Sequence, residues 1–279
     1  MLKMFLDIQI KIKILAATFV LFSCASLASD FPAFNDSENI SNLYASHHFR
    51  ASLRNERVVT DYNVYRSGSS SVRLTLFPGD CSKTFDDSHD DCSGKNERVD
   101  LALSRTKPSK SEIYTFSLKV DESFKNIPYK YEKKRWADVN LFQLYRSSSG
   151  ACHNVFYSAW KKKLAIDDRC TDKKSYNHGS RRVMYFDDIN PEEWNDFAIK
   201  INWSSDADGS FELFINRKRY TGYSGVTVIP RGSNSVMRPH IFIYKYGQEF
   251  SLDDKPIMAW FDNIGVYKSD THVPAIFLN

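Results

Sequence analysis

The sequence has no sustained helical periodicity, no long apolar run, no strong charge of either sign and no internal repeat. Each absence excludes a class of protein. Without the 3.6-residue pattern, a helical bundle or coiled coil is ruled out. Removing residues 1–28 takes away three Lys and one Asp, leaving 35 basic and 33 acidic residues, a net charge of +2. So balanced a chain carries no argument for nucleic acid or a membrane surface as a partner. There is no G-x-S-x-G, H-E-x-x-H or Walker-type loop, which removes the commonest serine-hydrolase, zinc-protease and nucleotide-binding signatures. No C-x-x-C pair of the zinc-module kind is present, and no strand carries the E-x-D-x-x-E spacing of paired carboxylates that a sandwich glycoside hydrolase uses.

The first thirty residues read as a secretory signal. Lys3, Lys11 and Lys13 precede the apolar stretch from Ile14 to Phe22, and Ser26-Leu27-Ala28 offers a cleavage site before Ser29. That stretch is shorter than the roughly 20 residues that cross a bilayer. An exported protein, secreted or periplasmic, is expected, with no integral membrane segment after signal removal. Lipid attachment at Cys24 is the alternative, although Phe22 suits a lipoprotein signal poorly. Cys81, Cys92, Cys152 and Cys170 remain in an oxidising compartment. The local pairs Cys81 with Cys92 and Cys152 with Cys170 are favoured because each brackets a polar stretch.

Residues 29–279 are expected to form a single all-β domain. Short aromatic and β-branched runs alternate with Gly, Asn, Asp, Ser and Pro clusters. Strands are expected at Ser71 to Phe77, Arg98 to Ser104, Ile113 to Val120, Asn140 to Tyr145, Asn154 to Trp160, Asp196 to Trp203, Gly209 to Ile215, His240 to Tyr246 and Met258 to Lys268. Their spacing suits a β jelly-roll sandwich of two antiparallel sheets. Polar turns are expected at Ser204 to Gly209 and at Ile215 to Tyr220, and long irregular stretches at Pro78 to Asn96 and Lys161 to Asp188.

Strand alternation then sorts the side chains. Arg98, Asp100 and Ala102 share one face, opposite Val99, Leu101 and Leu103. Gln143 and Tyr145 lie opposite Phe142 and Leu144, and His240, Phe242, Tyr244 and Tyr246 lie opposite Ile241 and Ile243. If the three strands are neighbours, Arg98, Gln143, Tyr145, His240 and Tyr244 line one groove. His153, His178, Lys161 to Lys163 and the pair Arg181-Arg182 sit in or beside the second cysteine-bracketed stretch. They read either as a solvated charged face or as a subsite for an acidic chain, in which Arg makes flat bidentate contacts. Asp86, Asp87, Asp90 and Asp91 offer oxygen ligands for calcium but lack the D-x-D-x-D-G pattern, so a solvated loop is the other reading and no metal site is assigned.

Glu97-Arg98-Val99-Asp100-Leu101, Phe142-Gln143-Leu144-Tyr145, the region Trp194 to Gly225 and His240 to Tyr246 together resemble the jelly-roll polysaccharide lyases of the heparin lyase I type, relatives of alginate and glucuronan lyases. The likeness spans about Val72 to Lys268. It implies β-elimination on a uronic-acid-containing acidic polysaccharide, by a monomer needing no organic cofactor. By that resemblance Arg98, Gln143, His240 and Tyr244 are the catalytic candidates. Tyr145, Asp100, Tyr246, Lys245, Arg146, Arg181 and Arg182 are the substrate-binding ones. The chain departs from the family pattern at four places: Tyr145 replaces the histidine of Q-x-H, His240 replaces the lysine of K-x-x-x-Y, Asp100 replaces a glutamate conservatively, and Ala102 replaces a second arginine. His240 would then supply the imidazole from another strand, with Tyr244 as acid. The rival from another class is a carbohydrate-binding protein on the same fold, with Trp136, Trp160, Tyr145 and Tyr244 as stacking platforms.

Overall fold

The computed structural model describes residues 57–81, 91–102, 110–127, 138–146, 150–169, 182–227, 237–245 and 255–278. The expected signal peptide, its cleavage site and Cys24 lie outside them. Thirteen strands are present among the described residues: β1 Val58–Asp61, β2 Ser71–Leu76, β3 Glu97–Ala102, β4 Ser111–Val120, β5 Asp138–Arg146, β6 Gly150–Ser158, β7 Lys163–Asp168, β8 Arg182–Tyr185, β9 Asn195–Asn202, β10 Ser210–Ile215, β11 Lys218–Ser224, β12 Met237–Lys245 and β13 Ile257–Tyr267. They form a seven-stranded sheet in the order β1-β2-β13-β4-β9-β10-β11 and a six-stranded sheet in the order β3-β12-β5-β6-β7-β8, with every pairing antiparallel. This is the jelly-roll sandwich that the strand pattern predicts. Among the described residues no helix is long and apolar enough to cross a membrane.

The core lies between the sheets because each strand offers it alternate side chains. Phe116 of β4 stacks on Phe142 of β5 across the gap at 4.2 Å and on Phe197 of β9 beside it at 4.9 Å. The turn at Asn216-Arg217 joins β10 to β11 with both residues at positive φ, 50° and 66°. That is the left-handed pair a two-residue hairpin of type I′ needs to match strand twist.

Two expectations are corrected in the stretch from Lys161 to Asp188. It is not irregular throughout, since it contains β7 and β8. In β7 the apolar Leu164 and Ile166 face the core, but the Lys and Asp residues around them hide a short strand within a charged segment. His153 is not part of a solvated face. It points between the sheets, stacked on Phe211 at 4.8 Å, with Nδ1 3.4 Å from an Asp168 carboxylate oxygen. Of the expected disulfides, Cys81 with Cys92 is formed. Cys152 is also disulfide-bonded, and Cys170 lies outside the described residues.

Burial holds the His153 imidazole below its ordinary pKa, against the opposing pull of Asp168 and Asp167. The unfolded chain therefore takes up the proton first as pH falls. This contribution to stability is complete above about pH 6.5 and is lost as pH drops toward the folded value. Urea unfolding of wild type and His153→Gln at pH 7.5 and 5.5 should show the wild type losing more stability than the variant. The difference is bounded at about 1.4 kcal/mol per pH unit. Equal pH dependence in both proteins would refute the assignment.

Candidate active site

The three strands carrying the candidate residues are neighbours. β12 is hydrogen-bonded to β3 on one side and β5 on the other. Val99, Leu101, Phe142, Leu144, Ile241 and Ile243 belong to the core, so Arg98, Asp100, Gln143, Tyr145, His240, Phe242 and Tyr244 stand on the outer face of the six-stranded sheet. A bulge in β5 is what keeps this alignment. Leu141 and Phe142 both turn to the core, so that Asn140 and Gln143, three residues apart, both face outward.

The register sorts the outer face into two groups. His240 pairs with Gln143, Gln143 with Asn154 of β6, and Asn154 with Asp167 of β7. Tyr145 leans on this row, its ring edge-on to His240 with centroids 5.8 Å apart. The second group is set by the pairing of Tyr244 with Arg98 and with Asn140. Phe242 separates the two, its ring 6.3 Å from His240 and 6.1 Å from Tyr244. Four residues along a strand span about 13 Å, and the Phe242 ring lies between those of His240 and Tyr244.

The Arg98 group is closed. Its guanidinium lies 4.0 Å over the Tyr244 ring, with Nε 3.0 Å from the Asp91 carboxylate and Nη1 3.4 Å from that of Asp100. The Tyr244 hydroxyl donates to Asp91 at 3.3 Å. Tyr244 is 4% exposed and Asp91 is fully buried. Burial disfavours the Arg98 charge, but Asp100 and then Asp91 outweigh it and hold the guanidinium above its ordinary pKa. Asp91 is pinned there by its neighbour Cys92, disulfide-bonded to Cys81, and by its carbonyl, which accepts from the Asn96 amide at 2.8 Å. In place of a solvated loop residue, Asp91 is the partner of two groove residues. Its adjacency to a stapled cysteine just before β3 was the available signal. Asp86, Asp87 and Asp90 of the same stretch lie outside the described residues.

The His240 group opens to solvent only at its Tyr145 and Gln143 side, since His240 is itself 6% exposed. Tyr145 is 39% exposed and Gln143 is partly exposed. The Gln143 amide nitrogen donates to the Asn154 carbonyl oxygen at 2.8 Å. The Asn154 amide nitrogen, buried, has no hydrogen-bond partner among the described residues. Such a buried donor is costly unless something else accepts from it. Asn154 was legible only as a strand residue, although alternation with Val155 already placed it outward.

Of the remaining expected contacts, Lys245 shares the core-facing side with Glu97, 3.9 Å away, and is 1% exposed. It does not stand on the groove, because it is an odd number of residues from Tyr244. The backbones of Arg146 and Arg182 pair with Met237 and Asp168. Tyr246, Arg181, His178 and Trp136 lie outside the described residues. Trp160 is exposed at the β6–β7 turn, with the Lys161 ammonium 3.9 Å over its ring. Among the described residues, no group of three or more His, Cys, Asp and Glu is placed to hold a metal ion.

Residues 34–265 match the family model described as "Polysaccharide lyase". No curated protein sequence matches the chain. Among solved structures, the endo-beta-1,4-glucuronan lyase from the fungus Trichoderma reesei superposes with a TM-score of 0.59 at 13% identity, covering 88% of this chain and 98% of that one. The alginate lyase Aly36B superposes with a TM-score of 0.50 at 10% identity, covering 88% and 96%. At these identities both likenesses speak for the jelly-roll fold alone.

If Asp91 holds Arg98 and Tyr244 as described, Asp91→Ala should cost about 3 kcal/mol in urea unfolding, the range for breaking one side of a buried ion pair. Asp91→Asn, which can still accept from Tyr244, should cost less. Equal stability of Asp91→Ala and wild type would show that the contact carries no weight.

Proposed function

The chain belongs to the polysaccharide lyase family, and from that premise we propose that it cleaves a uronic-acid-containing acidic polysaccharide by β-elimination on the outer face of its six-stranded sheet. The observation carrying this reading is the meeting of His240, nearly buried, with Gln143 and the exposed Tyr145 on adjacent strands. Elimination from a uronate needs a base for the weakly acidic C5 proton, a polar group to hold the carboxylate as negative charge spreads onto it, and a proton for the departing O4. The open group contains all three residue types. His240 is the base. Gln143 and Asn154 are the carboxylate-holding amides, and the unpartnered Asn154 nitrogen supports that role.

Arg98, with two carboxylates of its own, is poorly suited to neutralise a third belonging to the substrate. Its role in this reading is to hold β3 against β12. Arg146, Arg181 and Arg182 are the proposed contacts to the rest of the acidic chain, through flat bidentate pairing. The reaction as written needs no organic cofactor. An exported enzyme acting as a monomer completes the proposal, and kinship with the heparin lyase I type belongs to it as the finer assignment.

The test is ultraviolet absorbance of the unsaturated uronate product, with purified protein on heparin, heparan sulfate, alginate and glucuronan. A rise on one of them that falls about 100-fold or more in His240→Ala, the usual weight of a general base, is the expected outcome. Binding without any rise would favour the carbohydrate-binding alternative, for which exposed Tyr145 and Trp160 offer stacking faces.

A further inference from the structure

Among the described residues of β5 and β12, two tyrosines on the outer face could give a proton to a departing sugar oxygen, and their surroundings differ. Tyr244 is nearly inaccessible, its ring covered by the Arg98 guanidinium and its hydroxyl bonded to Asp91. It also stands two side chains beyond His240 along β12, with Phe242 between. Tyr145 is open to solvent and its ring touches that of His240 edge-on. It lies two residues from Gln143 on the same face of β5, and Gln143 is the cross-strand partner of His240. Tyr145, Gln143 and His240 therefore form a triangle on two neighbouring strands, and Tyr244 is outside it.

From this geometry we infer that Tyr145, and not Tyr244, is the catalytic tyrosine, donating the proton to the leaving oxygen while His240 takes the proton from C5. The inference rests on the lyase reading above and assigns one of its roles. In the step, the C5–H electron pair becomes the C4=C5 double bond and the C4–O4 bond breaks. O4 takes the Tyr145 phenolic proton and leaves as a hydroxyl on the departing sugar. The imidazolium of His240 then returns its proton to the Tyr145 phenolate beside it, which restores both groups without consuming water. Tyr244 is a positioning residue by contrast. With Asp91 and Arg98 it fixes the end of β12 that lies beyond Phe242.

Acid and base on one face of a sheet reach most directly a C5 proton and an O4 that lie on one side of the sugar ring. D-Glucuronate and D-mannuronate have that arrangement, whereas their C5 epimers place the two on opposite sides. Polyglucuronate and polymannuronate are accordingly the probes.

The experiment measures kcat and KM on both polymers for wild type, Tyr145→Phe, Tyr145→His and Tyr244→Phe, with thermal melting of each. Tyr145→Phe should lose at least about 100-fold in kcat, the usual weight of a general acid, with KM changed by less than about threefold and melting unchanged. Tyr145→His, which keeps a proton donor, should recover part of that loss and shift the pH profile toward acid, as its lower pKa requires. Tyr244→Phe should keep kcat within about fivefold while melting lower. Turnover by Tyr145→Phe close to wild type, with kcat abolished in a folded Tyr244→Phe, would overturn the inference and leave the lyase reading standing. Absence of turnover by wild type on these and all other uronate polymers would overturn both.

Discussion

The alternation of side chains along one central strand, β12, is the constraint on which both the core and the groove depend. Ile241 and Ile243 fill the space between the sheets, and His240, Phe242 and Tyr244 are thereby turned to the opposite face. A slip of one residue in its pairing would exchange the two sets, moving an imidazole and a phenol into the core and two isoleucines into the groove. The hydrophobic gain on one side therefore holds the polar residues in place on the other. The same logic places Lys245 away from the groove, beside Glu97.

The outer face is uneven in accessibility and in charge. At one end Arg98 is enclosed between two carboxylates and a phenol, a buried cluster whose members satisfy one another. At the other end His240, Tyr145 and Gln143 meet where Tyr145 reaches solvent, and Asn154 offers an amide donor that nothing among the described residues accepts from. Buried groups that complete one another stabilise a strand end. An incomplete donor beside an accessible aromatic ring is what a bound carboxylate would complete. The Cys81–Cys92 disulfide belongs to the closed end, because it delivers Asp91 to Arg98.

The nine strands expected from the sequence are all present, because most carry apolar side chains at a period of two, as Val72, Leu74 and Leu76 do in β2 and Phe211, Leu213 and Ile215 in β10. β1, β7, β8 and β11 were not among the nine. They lie at or beside sheet edges, and charged residues around a few apolar ones read as loop. Among the site residues, the common face of Arg98, Gln143, Tyr145, His240 and Tyr244 was legible from alternation alone. Asp91 was marked only by its place beside Cys92 just before β3, since nothing else in an Asp-rich stretch says which carboxylate will be drawn inside. His153 was misread for a similar reason. A histidine after a cysteine in a polar neighbourhood has no local mark of the Phe211 ring that covers it from the other sheet.

The sequence by itself determined the jelly-roll class, the strands that build it and the face on which each groove residue stands, because these follow from a two-residue period that every strand carries locally. It also contained a likeness to polysaccharide lyases, the family whose model matches residues 34–265. Only the tertiary structure decided the distances across strands. The spacing of His240 from Tyr244, the contact of Tyr145 with His240 and the closure of Arg98 by Asp91 depend on register, on a bulge in β5 and on a loop pinned by a disulfide. Those are relations between segments far apart in the chain, and their energies arise only when the sheets have assembled.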